Sequence, residues 1–270
     1  MNRKNPTQSL GVLTVATNIY IEYWREMAIS FDANCKQSDN VVLHVFTNQI
    51  DEVERVKTQL RNVLVFGHEI PNYKWPEATL LRYQIFKDAA EDLSEDLLMH
   101  LDADMLINEY PLDIIYKASA AGQMCLVSHP GYWRPKKLRG RAKFYKKHFA
   151  FLLNDVWMTL KLGGLGSWET DEKSAAYVPR RFRRSYVCGG TWFGQKGVFL
   201  KMVSELSHKV SADLKYNRIA VWHDESHLNS WSVHNSHLTL DPGLCFVSTY
   251  PQLQGLTPTI SAVEKKISTR

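Results

Sequence analysis

Two carboxylates, Asp102 and Asp104, directly follow the mostly apolar run from Leu97 to Leu101. Such a run predicts a buried strand. Because side chains at i and i+2 of an extended chain share a face, both carboxylates can bind one divalent cation. Mg²⁺ and Mn²⁺ prefer oxygen ligands, and an ion held by two protein groups keeps coordination positions for a diphosphate. Most Asp-x-Asp tripeptides are surface turns, but the buried run before this one favours a metal site.

A second dense group of ionisable residues lies between Trp222 and Trp231, and it consists of His223, Asp224, Glu225 and His227. Two histidines four apart share a helix face and suit zinc, although the glutamate stands at the wrong offset for the His-Glu-x-x-His order. Alternatively, the acidic pair occupies the first turn of a helix, where the helix dipole favours it. A third interpretation is a catalytic carboxylate. The residues alone leave all three open.

The secondary-structure elements around these two groups of ionisable residues must position them. Through the first half of the chain, strand patterns alternate with helix patterns. This alternation predicts an α/β fold with a mainly parallel sheet flanked by helices. Strands are predicted over 11–17, 41–47, 62–67, 96–101, 124–128 and 186–193, and helices over 18–30, 51–61, 80–90 and 198–210. Ligands of such sheets bind beyond the carboxyl ends of the strands. We therefore expect Ala16, Thr17, Asp102 and Asp104 to line one crevice.

The composition is that of a globular protein, with 44% hydrophobic and 23% charged residues among 270. This length fits a single compact domain. No run of 18 apolar residues occurs, and the first ten residues are too polar for a signal peptide, so we expect a cytoplasmic chain. The four cysteines form no Cys-x-x-Cys pair, which predicts reduced thiols.

Basic residues are concentrated in two segments. Residues 134–147 hold eight basic residues and no acidic one, and residues 180–184 hold four arginines. Charge alone is compatible with nucleic acid, anionic lipid or a diphosphate. Nucleic-acid binding is disfavoured because carboxylates line the expected crevice and no nucleic-acid-binding motif is present.

The string Trp222-His223-Asp224-Glu225-Ser226-His227-Leu228-Asn229 resembles the signature of glycosyltransferase family 6, which contains the blood-group A and B transferases. Further segments fall in that family's order, and the similarity extends over roughly residues 10 to 266. They are Val15-Ala16-Thr17 with Tyr20, Arg82, Asp102-Ala103-Asp104, His129-Pro130-Gly131, Ala176-Tyr177-Val178-Pro179 and residues 186–194.

This resemblance implies a GT-A fold and a UDP-Gal or UDP-GalNAc donor. It also implies Mn²⁺, with Mg²⁺ as the alternative, and retaining transfer that makes an α-1,3 linkage to a galactoside glycan. The donor-binding half would cover about 10–125, the acceptor-binding half about 126–260, and a basic tail 261–270. A sugar-binding domain without turnover is the rival interpretation, and the intact Asp102, Asp104, Glu225 and Arg82 argue against it.

The resemblance also assigns roles to individual residues. Catalysis falls to Glu225 and Arg82, metal binding to Asp102 and Asp104, and acceptor binding to His129, Trp222 and Glu225. Donor binding falls to Val15, Ala16, Thr17, Tyr20, Arg82, Ala103, Cys188, Gly189, Gly190, Asp224, Lys265 and Arg270. Cys188 and Gly190 align with the positions that separate GalNAc from Gal users, and the small Gly190 predicts that UDP-GalNAc is accepted at least as well as UDP-Gal.

The segment from Trp133 to Trp168 is longer than in the blood-group enzymes. Its basic half is followed by apolar residues at helical spacing, which is typical of helices that lie at a membrane interface. They are Phe144, Phe149, Leu152, Leu153, Val156, Trp157 and Leu160. One interpretation is peripheral contact of residues 134–162 with an anionic membrane, where a lipid-linked glycan acceptor would be found. The other is that these apolar residues pack on the core and the basic residues are merely solvated.

Overall fold

The computed structural model describes residues 8–263, in which strands and helices alternate from the first strand onward. The strands are β1 (Leu10–Val15), β2 (Val41–Thr47), β3 (Leu64–Glu69), β4 (Leu97–Leu101), β5 (Met105–Ile107), β6 (Met124–Ser128), β7 (Val187–Gln195), β8 (His237–Leu240) and β9 (Ile260–Ala262). The helices are α1 (Tyr20–Asn34), α2 (Ile50–Lys57), α3 (Glu77–Leu80), α4 (Arg82–Asp88), α5 (Leu112–Ser119), α6 (Leu138–Lys147), α7 (Phe149–Leu162), α8 (Lys196–Leu214) and α9 (His223–Ser232).

Seven strands form one sheet in the order β3-β2-β1-β4-β7-β6-β8. Neighbouring strands are parallel except where β7 pairs with β4 and β6. Strands from both halves of the chain therefore join the same sheet. The expected α/β class with a mainly parallel sheet is confirmed, and the arrangement is consistent with a GT-A fold.

Apolar side chains cover both faces of this sheet, because consecutive strand residues point to opposite sides. On one face, Leu10 and Val12 pack with side chains of α1 and α5. On the other face, Leu13 and Trp192 pack with side chains of α4, α8 and α9. The sheet is thus the middle layer of three, and its ends are left to carry polar groups.

A small second sheet lies beside the Asp-x-Asp segment. Its strand β5 begins one residue after Asp104 and pairs antiparallel with β9, with Met105 opposite Ala262. The backbone N–H of Val263 then donates to the carbonyl oxygen of Asp104 at 2.8 Å. The segment that precedes residues 264–270 is therefore anchored at the proposed metal site.

The sequence-based elements agree best where a strand is buried throughout. The predicted strands over 41–47 and 124–128 are found with the same bounds as β2 and β6. The predicted helix over 80–90 is wrong in detail, since the chain forms α3 and α4 with Leu81 between them. Among residues 8–263 no helix is both long and apolar enough to cross a membrane.

Candidate active site

A cavity of about 350 Å³ lies at the carboxyl ends of β1 and β4. Seven residues that the sequence analysis assigned to the donor or the metal line it together: Val15, Thr17, Tyr20, Arg82, Asp102, Ala103 and Asp104. Of these, Thr17, Asp102 and Asp104 were expected to share a crevice because ligands bind beyond the strand ends, and the other four were assigned by the resemblance. The cavity is also lined by residues that were not predicted, which are Asn18, Ile19, Tyr73, Lys74, Trp75, Ala78 and Thr79.

Part of the unpredicted wall is the loop that contains Tyr73, Lys74 and Trp75. Hydrogen bonds attach this loop to the end of β1. The Thr17 hydroxyl and the Asn18 side-chain amide both donate to the carbonyl oxygen of Tyr73, at 2.9 and 3.2 Å. Asn18 has a φ of 55°, in the left-handed region that asparagine tolerates better than most residues. The loop brings Lys74 and the exposed ring of Trp75 to the cavity. An amine and an aromatic ring suit a phosphate and a base or sugar ring.

Arg82 connects this cavity to the second group of ionisable residues. Its side chain is buried, and its Nη1 lies 2.9 Å from Asp102 Oδ1 and 3.4 Å from Asp224 Oδ2. Burial alone would lower the pKa of the guanidinium, but Asp224 and Asp102 outweigh it and raise the pKa. Arg82 therefore remains a cation placed between the Asp-x-Asp segment and α9.

The buried His100 contacts Arg82, and this residue was not predicted from the sequence. Its Nδ1 lies 3.0 Å from the carbonyl oxygen of Leu13, which can only accept, so Nδ1 carries the proton. Its Nε2 then accepts from Arg82 Nη1 at 2.6 Å. Burial and the nearby Arg82 lower the pKa of His100, which keeps the ring neutral and able to accept. Its position two residues before Asp102, on the same face of β4, was the available signal.

Glu225 lies at the start of α9 and faces the glycines of β7. Its Oε2 accepts the backbone N–H of Gly189 at 2.7 Å, and the Tyr186 hydroxyl, 3.2 Å from the Ser167 carbonyl oxygen, also lies beside this carboxylate. Burial raises the pKa of Glu225 to about 7, more than these two hydrogen bonds lower it. Burial also raises the pKa of Asp224 to about 6, although Arg82 opposes the shift. Perturbed carboxylates in a cleft are typical of catalytic sites.

Gly189 and Gly190 allow β7 to approach both groups of carboxylates. A Cβ at position 189 would lie 3.2 Å from Glu225 Cβ, and one at position 190 would lie 2.8 Å from Asp102 Oδ2. Contacts under 3 Å require the neighbouring group to move. A side chain at position 190 therefore affects the Asp102 carboxylate as well as any room beside a sugar.

We expect Gly190→Ala to displace the Asp102 carboxylate, weaken Mn²⁺ binding and lower kcat by about tenfold or more. Gly197→Ala is the matched control, because a Cβ there meets no heavy atom within 4 Å. Isothermal titration with Mn²⁺ and turnover with UDP-Gal and UDP-GalNAc check the prediction. Unchanged metal affinity with a changed donor ratio would instead favour the steric role for Gly190 that the resemblance implies.

The residues assigned to the acceptor, His129 and Trp222, are not among those that line the donor cavity. The ring centroid of His129 is 5.7 Å from that of Tyr186, whose hydroxyl reaches Glu225. His129 Nδ1 accepts the N–H of Gly131 at 3.1 Å, so this ring also fixes the turn that follows it. Trp222 directly precedes α9, with about half of its side chain exposed. His129 is thus connected to Glu225 through Tyr186, and the backbone carbonyl of Trp222 accepts the Glu225 N–H at 3.0 Å.

Several predicted donor contacts are not brought to the cavity wall. The side chain of Ala16 is fully buried in the core, because its neighbours Val15 and Thr17 take the cavity-facing positions. Cys188 is buried against Cys245 on the core side of β7. Lys265 and Arg270 lie outside the residues that the structure describes.

The zinc interpretation of the second group is not supported. His223 packs edge-on against Trp75 with ring centroids 4.9 Å apart, whereas Nε2 of the buried His227 lies 3.6 Å from Asp213. Across residues 8–263, no three His, Cys, Asp or Glu side chains converge on a metal position. The pair Asp102 and Asp104 instead offers hard carboxylate oxygens on a cavity wall, a donor set that suits Mn²⁺ or Mg²⁺ with further ligands from a substrate.

Comparison with known proteins finds a family similarity in the second half of the chain. The family model for glycosyltransferase family 6 matches residues 154–265, which include Glu225 and the string around it. Over these residues the chain is similar to glycosyltransferase family 6. The matched region begins after Asp104, so this similarity includes α9 and its surroundings and not the Asp-x-Asp segment.

Curated relatives extend the similarity toward the first half of the chain. Histo-blood group ABO system transferases 1 and 2 from Rattus norvegicus are 23% and 22% identical over 232 residues, 84% of this chain and 57% and 60% of the relatives. The O-antigen biosynthesis glycosyltransferase WbnI from Escherichia coli is 25% identical over 169 residues, 62% of this chain and 59% of the relative. The chain therefore spans less than two thirds of the length of each of these relatives.

Proposed function

We propose that this chain is a metal-dependent retaining glycosyltransferase that moves Gal or GalNAc from a UDP-sugar to the 3-hydroxyl of a galactoside glycan. The observation that carries the proposal is the pair of contacts made by Arg82, which joins Asp102 on the donor cavity to Asp224 beside Glu225. A metal-binding pair and a candidate reacting carboxylate are thereby held in one rigid arrangement. The similar transferases support the transferase class, whereas the donor, the linkage and the metal are what the resemblance to glycosyltransferase family 6 implies.

The donor cavity would hold the nucleotide with its diphosphate at Asp102 and Asp104. A bound Mn²⁺ would neutralise the charge that develops on the departing UDP. Arg82 adds a buried positive charge on the same side of the site. Because His100 accepts a hydrogen bond from Arg82 at 2.6 Å, the guanidinium is positioned before the substrate arrives. The Trp75 ring offers an apolar face to the sugar or the base.

Glu225 is the group that retention of configuration requires on the face opposite the leaving group. Its carboxylate can attack the anomeric carbon or stabilise an oxocarbenium-like state there. The Gly189 N–H fixes one carboxylate oxygen at 2.7 Å, which orients the other. Tyr186 lies beside it with His129 packed on Tyr186, and the half-exposed Trp222 ring precedes α9, so aromatic faces of the kind that sugar rings prefer are available nearby.

This role predicts a specific pH dependence. Glu225 must be ionised to act, and burial raises its pKa to about 7. We therefore expect the donor kcat/KM to fall about tenfold per pH unit as the pH drops below that value. Tyr186→Phe removes a hydrogen bond to the ionised form, so it should move the acidic limb to higher pH. A profile measured with limiting and saturating Mn²⁺ checks this, and a midpoint that Tyr186→Phe leaves unmoved would contradict it.

The function itself is tested by mass spectrometry of products from a panel of UDP-sugars and β-galactosides with Mn²⁺. The expected result is addition of one hexose or N-acetylhexosamine to a galactoside, with nuclear magnetic resonance showing an α-1,3 linkage. Binding of UDP-sugar without transfer or hydrolysis would support the rival sugar-binding domain. Transfer to a different acceptor hydroxyl would keep the transferase class and overturn the linkage.

A further inference from the structure

Helix α7 exposes a row of large apolar side chains to solvent. Phe149, Leu153, Val156, Trp157 and Leu160 are each between 49% and 67% exposed. Their spacing of four, three, one and three residues places them on one face of the helix. The expectation that all apolar positions of this segment pack on the core is therefore wrong for these five, although Phe144 and Met158 do pack inward. A contiguous exposed apolar row marks an interaction surface.

The opposite face of α7 is fixed to the rest of the hairpin that α6 and α7 form. Arg134 donates to both carboxylate oxygens of Asp155 at 2.6 Å, and the Tyr145 hydroxyl donates to Asp155 at 2.7 Å. The guanidinium also lies 5.0 Å from the Phe151 ring centroid. These buried contacts determine which face of α7 points outward. The apolar row is thus a property of the folded hairpin and not of a loosely attached helix.

The exposed charge of the hairpin is entirely positive. Asp155 is the one acidic residue between positions 134 and 168, and Arg134 covers it. Arg134 is consequently not available to a partner, whereas the seven basic residues that follow it are exposed. They are Lys136, Lys137, Arg139, Arg141, Lys143, Lys146 and Lys147. Of these, Lys136 pairs with Asp241 at 2.7 Å.

We propose that the α6–α7 hairpin binds the surface of an anionic lipid bilayer, with the apolar row entering the headgroup region and the basic residues contacting lipid phosphates. Both features of an interfacial helix are present together, and an anionic surface is the partner that complements exposed cations beside exposed apolar side chains. Protein partners with acidic surfaces would not provide an apolar layer. Membrane binding itself does not require the proposed function. Only its purpose, which is to bring the enzyme to a membrane-held acceptor, rests on that function.

Continuity with the active site supports that purpose. A groove of about 420 Å³ is lined by Tyr186, whose hydroxyl reaches Glu225, and also by Arg141 and Lys136 of the basic segment. A second groove of about 820 Å³ runs from Lys136 along α6 to Lys147. Positive side chains therefore line a path from the acceptor side of Glu225 to the hairpin. A glycan joined to a lipid through phosphate fits such a path.

Vesicle sedimentation tests the contact without any sugar substrate, so its outcome is independent of transferase activity. The full chain is mixed with vesicles of phosphatidylcholine alone or of equal parts phosphatidylcholine and phosphatidylglycerol, at low and high salt. We expect binding to the anionic vesicles at low salt, and its loss at high salt or without phosphatidylglycerol. Absence of binding to anionic vesicles at low salt would overturn the proposal.

Paired variants separate the hairpin from general charge and hydrophobicity. Replacing Arg139, Lys143, Lys146 and Lys147 with glutamine should weaken partitioning by about two to three orders of magnitude. The control replaces four exposed lysines elsewhere, Lys36, Lys57, Lys117 and Lys201, and should change it far less.

Trp157→Ser with Leu160→Ser should weaken partitioning by about tenfold or more. The matched control is Leu64→Ser with Phe66→Ser, because those side chains are 63% and 53% exposed on the edge strand β3. Equal effects of test and control would overturn the proposal. A second result would also overturn it. If sedimentation velocity showed a dimer of the chain, and Trp157→Ser with Leu160→Ser dissociated that dimer, the apolar row would bind a second copy of the chain and not a membrane.

Discussion

Glu225→Gln is expected to lower kcat by about a thousandfold or more while the affinity for UDP changes little. Glutamine is uncharged, so it can neither attack the anomeric carbon nor stabilise positive charge that develops there. Its side-chain oxygen can still accept the Gly189 N–H that now binds Glu225 at 2.7 Å, and the local fold should therefore remain. Loss of kcat with unchanged donor binding identifies a group that acts in the transition state.

The measurement compares steady-state turnover with UDP affinity from calorimetry. Glu205→Gln is the matched control, since Glu205 also contacts α9, where its carboxylate accepts from Trp231 Nε1 at 2.7 Å. That variant should retain turnover. If Glu225→Gln weakened UDP binding as much as it reduced the rate, Glu225 would be a structural residue and the proposed reacting face would be wrong.

Asp104→Asn is expected to lower Mn²⁺ affinity and to reduce kcat/KM for the donor by about a hundredfold or more. An amide is a weaker ligand for a hard ion than a carboxylate, and less of the charge on the leaving diphosphate is then neutralised. Asp102→Asn should cost at least as much, because Asp102 also pairs with Arg82 at 2.9 Å. Turnover against Mn²⁺ concentration, with paramagnetic resonance of free Mn²⁺, measures both effects.

Asp96→Asn tests whether any carboxylate on β4 would give the same result. Asp96 stands just before the strand, at the end away from the cavity, where it accepts from the backbone and hydroxyl of Ser9 at 2.9 Å. Asp96→Asn should lower the free energy of unfolding and leave the Mn²⁺ affinity unchanged. Full turnover of Asp104→Asn in the presence of a chelator would exclude the metal role.

How far the sequence predicts this molecule depends on how strongly each segment is buried. β2 and β6 were predicted with their observed bounds because every residue in them is buried. By contrast, β5 and β9 have three residues each and β8 has four, and each of these strands contains at least one partly accessible residue. Such short strands form because a partner is present, and no local pattern predicts the partner.

The same distinction applies to the site. Thr17, Asp102 and Asp104 were predicted to meet because strand ends of a parallel sheet converge. Ala16 was grouped with them, yet the alternation of side chains along the strand turns it into the core. The loop that carries Lys74 and Trp75 was not predicted, because its position depends on hydrogen bonds from Thr17 and Asn18 to a backbone carbonyl. Backbone acceptors of this kind leave no trace in residue types.

The pairing of β5 with β9 has a consequence for synthesis of the chain on the ribosome. Met105, next to the Asp-x-Asp segment, pairs with Ala262 in the small sheet. The carbonyl oxygen of Asp104 accepts a hydrogen bond from the backbone N–H of Val263. The two carboxylates emerge from the ribosome long before these residues, and closing so long a loop is entropically costly until the sheet between them has formed. A nascent chain that contains β1 to β7 but not β9 therefore lacks the backbone contacts that hold the Asp-x-Asp segment in the folded protein.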